Sequence, residues 1–188
     1  NYVCDTFPKK CQRVFLHHDI YDTPLVNKKK EEELFKRLSN YDHILIPSIK
    51  SKNIFNKLSL NYKNNKIKLS IIGYYKLDYL KNKLLNFKKK KQSYNIIIAP
   101  TDQNTFPEMS LINKIEKIFY KILSKTNYNI IYRPHPSNFN SKKVIKLKKE
   151  FIKQERVSFD NSKNYLNTYI NSDIMISDLS GTAYTYSF

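Results

Sequence analysis

The sequence predicts an α/β protein built on parallel sheets, and three observations carry that prediction. Short apolar, β-branched runs alternate with longer amphipathic, Lys-rich segments, the strand and helix rhythm of a parallel sheet covered by helices. One run, Asn95-Ile96-Ile97-Ile98-Ala99-Pro100-Thr101, is apolar without alternation, as a strand buried on both faces requires, and Pro100 stops it. The clusters of His, Arg, Asp and Ser fall just after such runs, and open parallel sheets bind ligands at the carboxyl ends of their strands.

The first strand is Arg13-Val14-Phe15-Leu16, ending at His17-His18-Asp19. Leu34, Phe35 and Leu38 repeat at helical spacing and predict a helix over 28–40. His43-Ile44-Leu45-Ile46 is the second strand, and Ser48 after it has the side chain to cap a helix over 49–60. A third strand over 67–72 runs to Gly73. The stretch 79–92 is basic, ends in Lys88-Lys89-Lys90-Lys91, and reads as a solvated helix end or a linker. It places a domain boundary before the apolar run: an amino-terminal α/β part over 1–85 and a Rossmann-like part over 86–188. In that second part Leu111, Ile112, Ile115, Ile118, Phe119 and Ile122 share one face and predict a helix over 108–125. The strand Asn129-Ile130-Ile131-Tyr132 leads into Arg133-Pro134-His135-Pro136. A Lys-rich helix over 141–153, the short strand Val157-Ser158-Phe159, a helix over 163–171 and a strand over 173–177 complete the pattern.

Composition bounds the function classes. A length of 188 residues holds one ordinary domain with a core, or one domain and pieces of another. With 34 Lys+Arg against 16 Asp+Glu the net charge is +18, which favours acidic partners: nucleic acid, an anionic membrane surface or a phosphate-rich substrate. Abundant Lys, Asn, Ile and Tyr with scarce Gly and no Trp is also the bias of an AT-rich coding sequence, which raises the Lys count without functional demand. Cys4 and Cys11 are too few for a disulfide framework and no zinc pattern is present, so a reducing cytoplasm is expected. No run approaches the roughly 20 apolar residues of a membrane span. Asn1 is not an initiator Met and the last element is cut short at Phe188, so the sequence reads as an internal fragment of a larger protein.

Four clusters could carry chemistry. After the last strand, Asp178-Leu179-Ser180-Gly181-Thr182 is a small, hydroxyl-rich turn into a helix. Gly181, one of two glycines, sits where backbone N–H groups would approach an anion, while Asp178 either bonds its own turn or reaches a ligand. In Arg133-Pro134-His135-Pro136 two prolines hold His135 in a stiff extended turn, suited either to phosphate binding and acid-base work or to capping a loop. Of His17 and His18 one could take a proton from a hydroxyl, and adjacent histidines on an extended segment point apart, so no metal site is expected. His43 opens a buried strand and reads as a structural histidine.

With these clusters in order, the chain resembles the CDP-glycerol glycerophosphotransferase family of teichoic-acid and capsule polyol-phosphate transferases, which have a GT-B architecture. Leu16-His17-His18-Asp19 is similar to its Trp-His-Gly segment, Ile72-Gly73-Tyr74-Tyr75-Lys76-Leu77-Asp78 to Gly-x-Pro-Arg-x-Asp, and Ala99-Pro100-Thr101 to Ala-Pro-Thr. Arg133-Pro134-His135-Pro136 matches Arg/Lys-x-His-Pro, and Ser177-Asp178-Leu179-Ser180-Gly181-Thr182 matches Ser/Thr-Asp-Tyr-Ser-Ser. Asp19, the pair Tyr75-Lys76, and the pair Gly181-Thr182 depart from the pattern.

The resemblance implies a transferase that uses a CDP-activated polyol donor and no cofactor, acting on a polymeric or lipid-linked acceptor at the inner face of the cell membrane. It makes His18 the general base, with His17 in reserve, and gives the donor diphosphate and nucleotide to Arg133, His135, Asp178, Ser180, Gly181, Thr182 and Thr101. Residues 1–85 then end an acceptor-side domain and 86–188 begin the donor domain, so the chain by itself is expected to be inactive. Two other classes compete: a GT-B glycosyltransferase using a UDP- or CMP-sugar, and a non-catalytic basic protein that binds nucleic acid. The latter has charge alone in its favour, because no interleaved basic and aromatic recognition module is present, and nucleic acid is not the expected partner.

Overall fold

The computed structural model of the chain describes residues 4, 6–16, 28–63, 66–84, 94–104, 107–178 and 180–187. Two compact units emerge, Asn1–Tyr79 and Leu80–Phe188, and the division falls inside the helix Tyr75–Leu84.

In the first unit β1 (Val14–Leu16), β2 (His43–Ile46) and β3 (Lys68–Ile71) form a sheet of three parallel strands in the order β1-β2-β3. The connections carry α1 (Lys28–Leu38) and α2 (Ile49–Asn61). Helix α2 starts where Ser48 stands in extended geometry and its Oγ accepts the Ser51 N–H at 3.1 Å, as its position after a strand predicts. Phe15, Phe35, Leu38, Ile44, Ile46, Phe55 and Leu58 are buried together as the core of this unit. His43 Nε2 lies 2.9 Å from Ser70 Oγ, tying β2 to β3, so this histidine is structural. Just before His43, at the amino-terminal end of the sheet, the exposed Arg13 and Asp42 side chains pair at 2.9 Å.

Helix α3 (Tyr75–Leu84) occupies the start of the stretch that charge marked as a helix end or linker; Leu77, Leu80 and Leu84 give it helical spacing, and Leu80 is buried. The chain enters α3 through Gly73, whose φ of 77° is the left-handed geometry that a side chain disfavours. The left-handed glycine is therefore Gly73, whereas Gly181 begins a helix without a positive φ.

The second unit is organised around β4 (Asn95–Ala99), every residue of which after Asn95 is buried. Parallel neighbours flank it on both sides, β5 (Asn129–Tyr132) and β7 (Ile174–Ser177), and β6 (Val157–Phe159) extends the sheet beyond β5. Strand order is β6-β5-β4-β7. The chain thus builds outward from β4 to β6, then crosses back to the other side of β4, as in the first four strands of a doubly wound nucleotide-binding sheet. Such a reversal leaves a crevice at the carboxyl ends of the two strands that flank it, here β4 and β7.

Helices α4 (Ile115–Lys125) and α5 (Lys142–Phe151) pack Ile115, Phe119, Leu147 and Phe151 against Ile96, Ile98, Ile130 and Tyr132. The helix expected over 108–125 is broken into a short 3₁₀ turn, Leu111–Asn113, and α4. The start of the turn is held by Ser110, which caps it, and by Asp178 from the end of β7, which accepts the Leu111 N–H at 2.9 Å. Helix α6 (Leu166–Ile170) is likewise shorter than the predicted 163–171, because Asn164 Oδ1 takes the Leu166 N–H and Asp160 Oδ1 takes the Ser162 N–H. Arg156 closes the far end of α4, donating at 2.6 Å to both Thr126 O and Leu123 O, where a cation suits the helix dipole. The last helix, α7 (Gly181–Tyr186), follows β7 directly.

Candidate functional site

The carboxyl ends of β4, β5 and β7 bring the second unit's polar loops side by side. Pro100 ends β4, and the chain then runs through Thr101 and Asp102 into a turn at Gln103 and Asn104. The Asp178 carboxylate, one residue past β7, fastens this loop: Oδ1 accepts the Thr101 N–H at 2.8 Å and Oδ2 accepts the Leu111 N–H at 2.9 Å. Ser177 adds a hydroxyl bond of 2.6 Å to Ala99 O. Thr101 and Asp178 are therefore brought into direct contact, with both carboxylate oxygens engaged by backbone.

Ser180 caps α7, its Oγ accepting the Thr182 N–H at 3.2 Å, which leaves its own hydroxyl proton for another acceptor. Gly181 and Thr182 form the first turn of the helix. No glycine-rich loop follows β4, so the loops after β5 and β7 stand beside it as further sources of donors for a phosphate at this end of the sheet.

Arg133, at the end of β5, is committed sideways to the loop after β6. Its Nη1 donates to Asp160 Oδ2 at 2.5 Å and Nη2 to Ser162 O at 2.8 Å, with the two charged side chains only 12% and 15% exposed. Burial pushes the Asp160 carboxyl up, but hydrogen bonds from Thr168, Ser162 and Arg133 outweigh it and hold the group below the ordinary carboxylate range. Arg133 thus braces the strand from which the His135 turn departs.

His135 lies half-buried two residues later, at the start of a 3₁₀ turn, Pro136–Asn138, whose Pro136 occupies the first turn position. Its Nδ1 is 2.7 Å from Ser137 Oγ, and Ser137 Oγ is 2.6 Å from Asp102 Oδ1 in the loop after β4. The Ser137 N–H also points at Nδ1, at 3.3 Å. These contacts cannot all be satisfied at once. An ionised carboxylate only accepts, so Ser137 must donate its single hydroxyl proton to Asp102, and Nδ1 must then carry the proton it shares with Ser137 Oγ. A charge-assisted bond of about 1.5–3 kcal/mol plus a short neutral one outweighs a long N–H contact of at most about 1 kcal/mol. The neutral ring accordingly presents an unprotonated Nε2. Asn138, the buried last residue of this turn, joins the same two loops by accepting the Gln103 N–H at 3.0 Å.

Sequence reading found the loops and missed their partners. Asp102, Ser137, Asn138 and Asp160 were not singled out; the one available signal was that Ser137 and Asn138 directly follow the Arg133-Pro134-His135-Pro136 cluster. His17 and His18, the expected bases, lie outside the described residues, as does Leu179. Among the described residues no group of three or more His, Cys, Asp or Glu is placed to hold a metal ion.

The family described as CDP-glycerol:poly(glycerophosphate) glycerophosphotransferase matches residues 15–188. The chain belongs to that family. Among solved structures, a variant of the wall teichoic acid polymerase TagF is similar at 18% identity with a TM-score of 0.50, over 98% of this chain and 45% of that one. Another TagF structure matches at 22% identity and a TM-score of 0.48, over 84% and 39%. Trehalose-6-phosphate synthase OtsA matches at 14% identity and a TM-score of 0.45, over 92% and 48%. At these identities the likeness to TagF is one of fold, an α/β architecture of the GT-B type with parallel sheets. The chain spans less than half the length of these solved structures. No curated protein sequence matches it. As a glycerophosphotransferase-family chain, it carries Arg133-Pro134-His135-Pro136 after β5 and Asp178-Leu179-Ser180 after β7, the two strands that flank β4.

Proposed function

We propose that the protein transfers a glycerol-phosphate group from a CDP-activated donor to a hydroxyl of a polymeric or lipid-linked cell-envelope acceptor, releasing CMP. The observation that carries this reading is the family match across residues 15–188. The strand order of the second unit supports it independently, because the reversal at β4 is where such sheets bind nucleotides. Residues 86–188 take the donor and 1–85 belong to the acceptor side. The acceptor oxygen attacks the β-phosphorus of CDP-glycerol, the bond from that phosphorus to the bridging oxygen breaks, and CMP leaves with the bridging oxygen. His18, or His17, removes the hydroxyl proton.

In this reading His135, Ser180, Gly181, Thr182 and Thr101 supply the ring N–H, hydroxyl and backbone donors that meet the diphosphate as negative charge moves onto the leaving group. Arg133 and Asp178 act one step back: Arg133 braces the end of β5 against Asp160, and Asp178 fixes the Thr101 loop. Teichoic-acid or capsule synthesis is the setting that fits a polyol-phosphate donor. A net charge of +18 supports work at the anionic inner face of the cell membrane, although no helix among the described residues is long and apolar enough to cross one.

CMP release from CDP-glycerol by the intact protein with an acceptor, run beside UDP release from UDP-sugars, tests the reading. CMP is expected to be released. The His18→Ala variant should lose turnover with donor binding nearly intact, whereas His135→Ala should weaken donor affinity by roughly 10- to 100-fold, the loss of one charged hydrogen bond. Release of UDP alone, or neither nucleotide together with tight RNA binding at physiological salt, overturns the proposal.

A further inference from the structure

Asp102 and Ser137 have no part in the transfer as described, yet Ser137 meets the ring of His135 and Asp102 meets Ser137 across the gap between two loops. We infer that Asp102 and Ser137 are positioning residues that fix His135 in its Nδ1-protonated form, so that Nε2 donates to the donor diphosphate only after the ring takes up a proton. This inference rests on the proposed diphosphate role of His135. The chain of contacts runs from Nδ1 to Ser137 Oγ at 2.7 Å and from Ser137 Oγ to Asp102 Oδ1 at 2.6 Å. A neutral ring so held offers a lone pair at Nε2, which repels a phosphate oxygen; the imidazolium offers an N–H and a charge. Diphosphate binding and proton uptake at His135 are thereby one event.

The neighbouring charges leave this coupling to Asp102. Asp178, from the end of β7, is engaged by the Thr101 and Leu111 N–H groups, and Arg133, from β5, by Asp160 and Ser162. Ser137 is exposed and bonds through its hydroxyl, so its replacement leaves the core untouched. Without that hydroxyl Nδ1 has the 137 N–H left to accept, at 3.3 Å, which moves the ring proton to Nε2. Without the Asp102 carboxylate the Ser137 hydroxyl turns to donate to Nδ1, with the same result.

Nitrogen NMR of the histidine-labelled chain reads the tautomer directly, without a ligand. Neutral His135 should carry its proton on Nδ1 in the wild type and in Ser137→Thr, and on Nε2 in Ser137→Ala and Asp102→Ala. Affinity for CDP-glycerol, whose phosphates do not titrate near neutrality, should fall in the wild type as pH rises, approaching roughly tenfold per unit for one linked proton. In Ser137→Ala that slope should flatten to less than about twofold per unit, leaving the variant weaker than wild type in mild acid and no weaker in mild base. An Nε2–H tautomer in the wild type, or an equal slope in wild type and Ser137→Ala, overturns the inference. A UDP-sugar titrated in parallel separates the two readings: if it binds with the proton-linked slope and CDP-glycerol does not bind, the donor assignment fails while the role of Asp102 and Ser137 stands.

Discussion

Among the described residues each unit shows an arginine-aspartate pair, and the two pairs differ in burial and in their place in the sheet. Arg13 and Asp42 meet at the amino-terminal end of the first sheet, with 36% and 45% of their side chains exposed. Arg133 and Asp160 meet at the carboxyl end of the second sheet with 12% and 15% exposed. Their geometry is comparable, since Arg13 reaches Asp42 through both Nε at 3.1 Å and Nη2 at 2.9 Å. The contrast teaches that position in the sheet, rather than the chemistry of the pair, decides what a salt bridge does here. In water the first staples strand starts together, and its charges are screened. The second, two residues before His135, holds the strand end from which that turn departs.

The same contrast extends to the carboxylates, and substitutions can break it. Asp178→Ala should have the largest effect, about 3 kcal/mol, because it orphans two backbone N–H groups and frees the Thr101 loop. Chemical denaturation should register that loss together with a weaker donor affinity; an unchanged midpoint would show that water replaces the carboxylate at no cost. Asp160→Ala should follow at about 2 kcal/mol, below the roughly 3–5 of a fully buried pair because some water reaches the site. Asp42→Ala should be the smallest of the three in the same denaturation experiment. If it matches Asp160→Ala, the distinction between the two pairs fails.

Acid sharpens the comparison. The Asp160 carboxyl sits below the ordinary range, because its hydrogen bonds outweigh burial; Asp42 does too, chiefly through the side-chain bond from Arg13. A lowered folded-state value means stability that is present above the unfolded value, about 3.9, and is withdrawn as pH falls through the lower folded one. Unfolding midpoints measured through that acid range should therefore lose much of their slope in Asp160→Asn and little in Asp42→Asn, where solvent screens the pair.

Much of the fold was legible because it is written in local repeats. Ile96, Ile97 and Ile98 in unbroken sequence announce a strand covered on both faces, and the spacing of Ile115, Phe119 and Ile122 announces the helix that covers one of them. The loops that carry the candidate site were legible for the same reason, since each begins where such a run stops. Their internal wiring was not. Arg133 looked like a phosphate ligand from its neighbours Pro134 and His135, yet its partner is Asp160, 27 residues away. Asp178 looked free to reach a ligand or its own turn, yet it bonds Thr101 at a separation of 77 residues and Leu111 at 67.

Sequence alone, then, determined the layers of this protein, the places where its strands end and the family to which its ordered motifs point. Periodicity and turn residues act over three or four positions, and a reader of the chain needs nothing more to see them. Only the tertiary structure decided which polar group answers which. The order β6-β5-β4-β7 lays loops distant in sequence side by side, and burial there requires each N–H and carboxylate to find a partner among whatever the sheet has made adjacent. The contact of Asp102 with Ser137, across 35 residues, is the plainest product of that requirement.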